Sequence, residues 1–202
     1  MNSMHVYLIR HGETAWSLSG QHTGRSDIPL TEHGEAEARE LAPRLAHIDF
    51  SAVLVSPRQR ARRTCELAGL SKSSEIEPDL AEWDFGDYEG QLSADIRKTY
   101  PEWNAWRDGS PGGELPADVT VRTDRLIARL NTMHGKVALF SHGQFGASLA
   151  ARWIGLPIIN GRHFVLHTAS LSILGQDRGD PHLRVITLWN DTPATRRLEH
   201  ED

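Results

Sequence analysis

The chain has 202 residues, enough for one α/β domain with a full core, and its apolar and charged fractions, 39% and 24%, are those of a globular protein. A formal net charge of −5 argues against a general pull toward nucleic acid or anionic lipid, so any anion affinity must come from locally placed arginines and histidines. One cysteine, Cys65, excludes an internal disulfide, and no run approaches the roughly 18 apolar residues of a membrane span.

The opening Met1-Asn2-Ser3-Met4-His5 lacks a basic region followed by a long apolar core, so no secretory signal is expected. With the lone cysteine, this makes the cytoplasm the expected location. The first strand is read over His5–Ile9, on the apolar run Val6-Tyr7-Leu8-Ile9. It runs into Arg10-His11-Gly12-Glu13-Thr14. A histidine at the carboxyl end of a buried strand sits where open α/β sheets gather their ligands. Arg10 adds a permanent cation with a forked donor face, and Gly12 allows a sharp turn. Taken alone, the pentapeptide is equally an ordinary strand exit.

A helix follows over Glu35–Leu45, opened by Thr31 or a near neighbour as cap. The second strand spans Ala52–Val55, and a helix from about Arg58 to Ala68 starts with Ser56 as cap and Pro57 in its first turn. Cys65 lies inside that helical pattern and reads as a packing residue, not a reactive thiol. The segment 79–116 carries Trp83, Phe85, Trp103 and Trp106 around the loop Gly109–Gly113. It reads as an aromatic-rich insertion over the ligand edge of the sheet, with a plain surface subdomain as the alternative. A third strand, Val137–Phe140, passes through Ser141-His142-Gly143 into a helix over Phe145–Ile154, and further strands are expected at Ser170–Leu174 and Leu183–Leu188. The charged stretch Thr192–Asp202 reads as a frayed tail. The alternation of strand and helix implies one domain over 1–191, a three-layer α/β/α sandwich around a mostly parallel sheet.

Three strand ends present matching chemistry. Arg10 and His11 follow the first, Arg58 and Arg60 the second, and His142 with Gly143 the third. The latter two lie at helix amino ends, which favour anions. Two histidines and several arginines converging there describe a site for a phosphate dianion. A fourth element, Glu82-Trp83-Asp84-Phe85-Gly86-Asp87-Tyr88-Glu89-Gly90, sets carboxylates beside aromatics, where a carboxyl can be kept as a proton donor. Spacing does not choose among Glu82, Asp84, Asp87 and Glu89. The histidines lack the close spacing of a metal motif such as H-E-x-x-H, so no metal is expected.

These stretches, together with Ser56-Pro57-Arg58-Gln59-Arg60-Ala61-Arg62-Arg63-Thr64, resemble the histidine phosphatase superfamily, also called phosphoglycerate-mutase-like, in family order over most of the chain. The resemblance implies His11 as the nucleophile that becomes phosphorylated. It implies Arg10, Arg60 and His142 around the phosphoryl oxygens, with Gly143 beside them, and Glu82 as the proton donor that later activates water. Ser17 falls where many members carry Asn against the phosphate. Gln21, Thr23 and Gly24, in Gln21-His22-Thr23-Gly24-Arg25, match a substrate-side contact. Arg58 replaces a leucine common in relatives and would add a cation for a second acidic group.

Glu82 is followed by Trp83-Asp84-Phe85-Gly86, a hydrolase-like version of the segment that reads Glu-Arg-x-Tyr-Gly in mutases. The expected activity is therefore a metal-independent phosphomonoesterase without a cofactor, similar to the broad acid-phosphatase and sugar-bisphosphatase branches. Its expected partner is a small phosphorylated metabolite, with no nucleic acid and no membrane, and the protein would be a monomer or homodimer. A phosphoglycerate-type mutase and a non-catalytic phosphate-binding module are the alternatives.

Overall fold

Alternating apolar residues divide the strands between two buried faces, and the architecture follows from that division. In the computed structural model, described over residues 4–192, the elements run β1 (His5–Arg10), α1 (Ala15–Ser19), α2 (Glu32–Leu45), β2 (Ala52–Val55), α3 (Gln59–Leu67) and β3 (Ser74–Ile76). They continue with α4 (Ser93–Thr99), α5 (Ala105–Asp108), α6 (Pro116–Leu130), β4 (Lys136–Ser141), α7 (Gly143–Trp153), β5 (Leu171–Gln176) and β6 (Arg184–Asp191). The six strands form one sheet in the order β3-β2-β4-β1-β5-β6. The pairs β3–β2, β2–β4 and β4–β1 are parallel, whereas β1–β5 and β5–β6 are antiparallel. The sheet is thus mixed, with β5 alone running against the rest.

One face of β1 sends Val6 and Leu8 into a core shared with Leu126, Leu130, Phe145, Leu149 and Trp153 of α6 and α7. The other face sends Ile9 against Leu41, Leu45, Ala61 and Cys65 of α2 and α3. This is the period-two division of a strand buried on both sides, and it gives the three layers. Each fully buried leucine in these layers contributes about 2 kcal/mol of transfer free energy. Cys65 is 1% exposed and burial pushes its thiol up to about 12, consistent with packing and not reactivity. No helix among the described residues is long and apolar enough to cross a membrane.

Thr31 caps α2, accepting from the Gly34 amide at 3.0 Å. The Ser56 hydroxyl accepts from the Arg58 amide at 3.3 Å just ahead of α3, in keeping with the expected cap. Arg58 itself stands at the first cap position without a side-chain cap bond, and the Ser56 hydroxyl also meets His142 at 2.7 Å. The aromatic segment is divided: Trp83, Phe85 and Trp103 are buried in the α6/α7 core, and Phe85 and the partly buried Trp106 also line a surface cleft. Thr192, where a tail was expected to begin, is 7% exposed; the rest of that stretch lies outside the described residues.

Candidate active site

Strand register brings the three chemical strand ends level. Ile9 pairs with Phe140 and Arg10 with Ser141 across β1 and β4, while Val55 of β2 also pairs with Phe140. His11, Ser56 and His142 therefore leave the sheet side by side. The His11 amide donates to the Ser141 carbonyl at 3.0 Å, and the Ser56 amide to the Phe140 carbonyl at 3.0 Å. The His11 and His142 rings stand 5.2 Å apart, inclined at 60°.

His11 is buried, and its Nδ1 lies 2.7 Å from the Gly12 carbonyl. A carbonyl only accepts, so Nδ1 carries the proton and Nε2 keeps its lone pair. Burial first, then the Arg10 and Arg60 cations, hold the imidazole pKa well below its ordinary value, so the ring is neutral. Gly12 is required where it stands: a Cβ there would come 2.3 Å from the Gly34 carbonyl oxygen. Its amide is anchored on Thr64 Oγ1 at 3.0 Å.

Arg10 is half-buried in the cleft wall. Its Nη1 donates to the Leu166 carbonyl at 2.5 Å, and its buried Nε has no protein partner. Gly143 lies against the guanidinium, where a Cβ would approach to 3.2 Å of its carbon. Arg60 is fully buried and more heavily engaged. Nη1 donates to Ser26 O at 2.9 Å, Nη2 to Thr23 O and Gly24 O at 3.0 and 3.1 Å, and Nε to His142 Nδ1 at 3.2 Å. Four of its five N–H groups are thus held by the protein. Burial lowers its pKa to about 10, still well above neutrality. Because Arg60 donates to Nδ1, His142 must carry its proton on Nε2 and donate to Ser56 Oγ. Burial and then the Arg60 charge hold this imidazole neutral too.

Of the four carboxylates that spacing leaves open, Glu82 alone lines the cleft with His11 and Arg10. Its Oε1 accepts from the Trp83 and Phe145 amides at 2.9 and 2.7 Å, and its Oε2 from the Gln144 amide at 2.9 Å. A carboxylate offers about four lone-pair sites, so three are held and one, on Oε2, is left for a proton. Asp84 instead pairs with Arg25 at 2.8 Å, Asp87 is exposed, and Glu89 binds the amides of Gly24, Arg25 and Ser26 at 2.7 to 3.2 Å. The expectation that helix amino ends face the anion is corrected. Glu82 takes the amino end of α7, and Asp27 takes the Gln59 amide of α3 at 2.9 Å. The arginines on the cleft wall are Arg10 and Arg162.

The remaining expected residues divide. Ser17, Gln21 and Thr23 line the cleft. The Ser17 hydroxyl is engaged in the capping box of α1, Gln21 Nε2 donates to Gly90 O at 2.7 Å, and the Thr23 hydroxyl donates to Gln21 O at 3.0 Å. Gly24, Arg58, Arg60 and His142 are not on the wall; Arg60 and His142 lie buried behind it. A Cβ at Gly24 would meet the Trp83 carbonyl oxygen at 2.1 Å, so Gly24 is a close-packing residue that delivers a carbonyl to Arg60.

Sequence reasoning missed Arg122, on the unexpected helix α6. It pairs with Glu114 through Nε at 2.7 Å and Nη2 at 2.9 Å, and donates to the carbonyls of Asp79, Ala81 and Glu82 at 2.9, 2.8 and 3.3 Å. It fixes the backbone that presents Glu82. The cleft is about 310 Å³, the size of a small-metabolite site, and Trp16, His22, Gln144, Arg162, Phe164 and Leu166 complete it. A neutral nucleophilic imidazole, a fixed guanidinium and a single carboxyl around one cleft can receive a phosphoryl group and protonate its leaving oxygen.

The family model for the histidine phosphatase superfamily (branch 1) matches residues 6–192. An acid phosphatase of Mycobacterium tuberculosis (strain ATCC 25618 / H37Rv) is 42% identical over 188 residues, covering 91% of this chain and 92% of that protein. Sedoheptulose 1,7-bisphosphatase of Saccharomyces cerevisiae is 35% identical over 183 residues, covering 75% of this chain and 68% of that protein. The solved structure of an open reading frame of Mycobacterium tuberculosis superposes with a TM-score of 0.87 at 38% identity, covering 94% of this chain and 98% of that one.

Proposed function

Since the chain belongs to the histidine phosphatase superfamily, whose members hydrolyse phosphate esters, we propose that it is a phosphomonoesterase acting on small phosphorylated metabolites through a phosphohistidine on His11. The observation that carries this reading is the tautomer of His11. The Gly12 carbonyl takes Nδ1–H, which leaves the Nε2 lone pair as nucleophile in a cleft that also holds Arg10 and Glu82.

In the first step Nε2 attacks phosphorus in line, the N–P bond forms and the bond to the leaving oxygen breaks. Charge on the transferring group is neutralised by Arg10, which lies on the cleft wall and whose Nε has no protein partner, while the buried Arg60 cation adds its field beside His11. The leaving oxygen takes a proton from Glu82 Oε2. In the second step the Glu82 carboxylate receives a proton from water, whose oxygen attacks phosphorus and breaks the N–P bond. Phosphate leaves and His11 is again neutral. His142 acts on Arg60 and stands beside the His11 ring, so its role here is to position both. No step calls for a metal or a cofactor, and a cytoplasmic setting agrees with a single buried thiol.

The test is hydrolysis of p-nitrophenyl phosphate in EDTA, followed by incubation with 3-phosphoglycerate. Phosphate release that disappears in His11→Ala supports the reading. Interconversion of phosphoglycerate isomers without phosphate release replaces it with a mutase, and phosphate binding with no turnover of any ester replaces it with a binding module.

A further inference from the structure

Arg58, expected to read a second acidic group, is absent from the cleft wall, and the cation that occupies the mouth is Arg162. It lies in the 3-10 turn Ile158–His163 that follows α7. The guanidinium is exposed, its Nε contacts His163 Nε2 at 3.2 Å, and it takes part in no ion pair among the described residues. The turn that carries it is held closely. A Cβ at Gly161 would meet the Trp106 ring at 2.3 Å and the Ala147 carbonyl oxygen at 3.2 Å. Gly161 therefore packs on the first turns of α7, on the face that Ala147 shares with Gln144 three residues earlier.

Gln144 supplies a second, independent sign. Its Nε2 is buried yet has no hydrogen-bond partner, while the residue lines the same cleft. A buried amide donor without an acceptor is uncommon in a native fold and calls for one from outside the chain. Arg162 and Gln144 Nε2 offer donors only, so the group they fit is an oxygen anion. Arg10 stands beside His11 for the scissile phosphoryl, and Glu82 is the sole carboxylate on the wall.

We propose that Arg162 and Gln144 form a leaving-group subsite for a second anionic group, a carboxylate or a phosphate, carried by the substrate's carbon skeleton. This rests on the phosphomonoesterase reading and narrows it. The substrate is a small bis-anion, its skeleton lying against Trp16, Phe85 and Phe164, which also line the cleft. The exposed position of Arg162 means that its contribution is screened by salt.

The experiment compares kcat/KM within matched pairs: 3-phosphoglycerate against glycerol 3-phosphate for the carboxylate, and fructose 1,6-bisphosphate against fructose 6-phosphate for the phosphate. In at least one pair the doubly anionic member is favoured about tenfold or more, the effect of one partly exposed charge-assisted contact. The preferred pair identifies the anion. The preference collapses in Arg162→Ala, is partly kept in Arg162→Lys, shrinks in Gln144→Leu and weakens in 0.5 M salt. Equal rates within both pairs for the unaltered protein, or an Arg162→Ala change that slows both members of a pair alike, overturn the subsite. Turnover of p-nitrophenyl phosphate by the unaltered protein reports separately on the phosphatase reading. If turnover fails, calorimetric affinities of His11→Ala protein for the same pairs still decide, with the same order expected.

Discussion

Arg60 Nε donates to His142 Nδ1 across 3.2 Å, and this one bond sets the tautomer of the second strand-end histidine. It obliges His142 to carry its proton on Nε2, toward Ser56, and to remain neutral beside His11. A protonated His142 would face the Arg60 guanidinium at contact distance. Burial first, with the Arg60 charge adding to it at both rings, keeps the pair neutral, and this has consequences for pH.

Both imidazoles have pKa values held well below the ordinary histidine value of about 6.5. The folded state then binds fewer protons than the unfolded chain below that pH, so this contribution to stability is complete above about pH 6.5 and is lost as pH falls toward the folded values. Urea midpoints measured at pH 7 and pH 5 should fall with acidity, and the difference should narrow in His142→Asn. An unchanged difference in that variant would show that other groups carry the effect. For the same reason kcat/KM should persist below pH 6.5, where His11 stays neutral. A rate that collapses as pH falls just below 6.5 contradicts the neutral state given to His11.

Glu82→Gln removes the proton donor while keeping the shape of the side chain. The loss should depend on the leaving group: about 10²- to 10⁴-fold in kcat for alkyl phosphates, and clearly less for p-nitrophenyl phosphate, whose phenolate leaves without help. Equal losses for both substrates would assign Glu82 to binding alone.

Arg122→Ala breaks a largely buried pair with Glu114 and frees three carbonyls of the segment leading to Glu82. Stability should drop by about 3 kcal/mol, read from urea unfolding. kcat should fall together with it, since the acid is no longer held. A variant as stable as the parent would show that the segment is fixed by packing.

Gly24→Ala tests the loop that feeds Arg60. Its Cβ would sit 2.1 Å from the Trp83 carbonyl oxygen and 2.4 Å from Glu89 Oε1, so the Thr23–Ser26 carbonyls must shift from the guanidinium. Destabilisation of about 1–3 kcal/mol and a fall in phosphate affinity are expected together. Measured by calorimetry, unchanged phosphate affinity would detach the loop from the site.

Much of this was legible in the chain. Strands with unbroken apolar runs, β1, β2 and β4, announced themselves, and so did the strand–loop–helix units that place His11, Arg60 and His142. The signal for α6 was present but passed over: Pro116 suits a first turn, and Val119, Thr123, Leu126, Ile127 and Leu130 mark one helical face. β3 had no such signal, being three residues of an edge strand with Glu75 and Ile76 exposed. Trp83 and Trp103 misled because a large aromatic fits a rim or a core equally well by composition, and only packing decides. Ser56 was legible as a helix opener, its hydroxyl accepting the Arg58 amide, but its second contact, with a histidine 86 positions away, was not. Partners that distant leave no local pattern. The engagement of Arg60 with the Thr23–Ser26 carbonyls was hidden for the same reason.

The most direct measurement of the central chemistry is rapid quenching of the protein during turnover of a ³²P-labelled phosphomonoester, followed by peptide mapping. The expected result is a label on His11, bound through Nε2, stable in alkali and labile in acid, and absent from His11→Ala. Steady turnover with no such label, or turnover that survives His11→Ala, contradicts it.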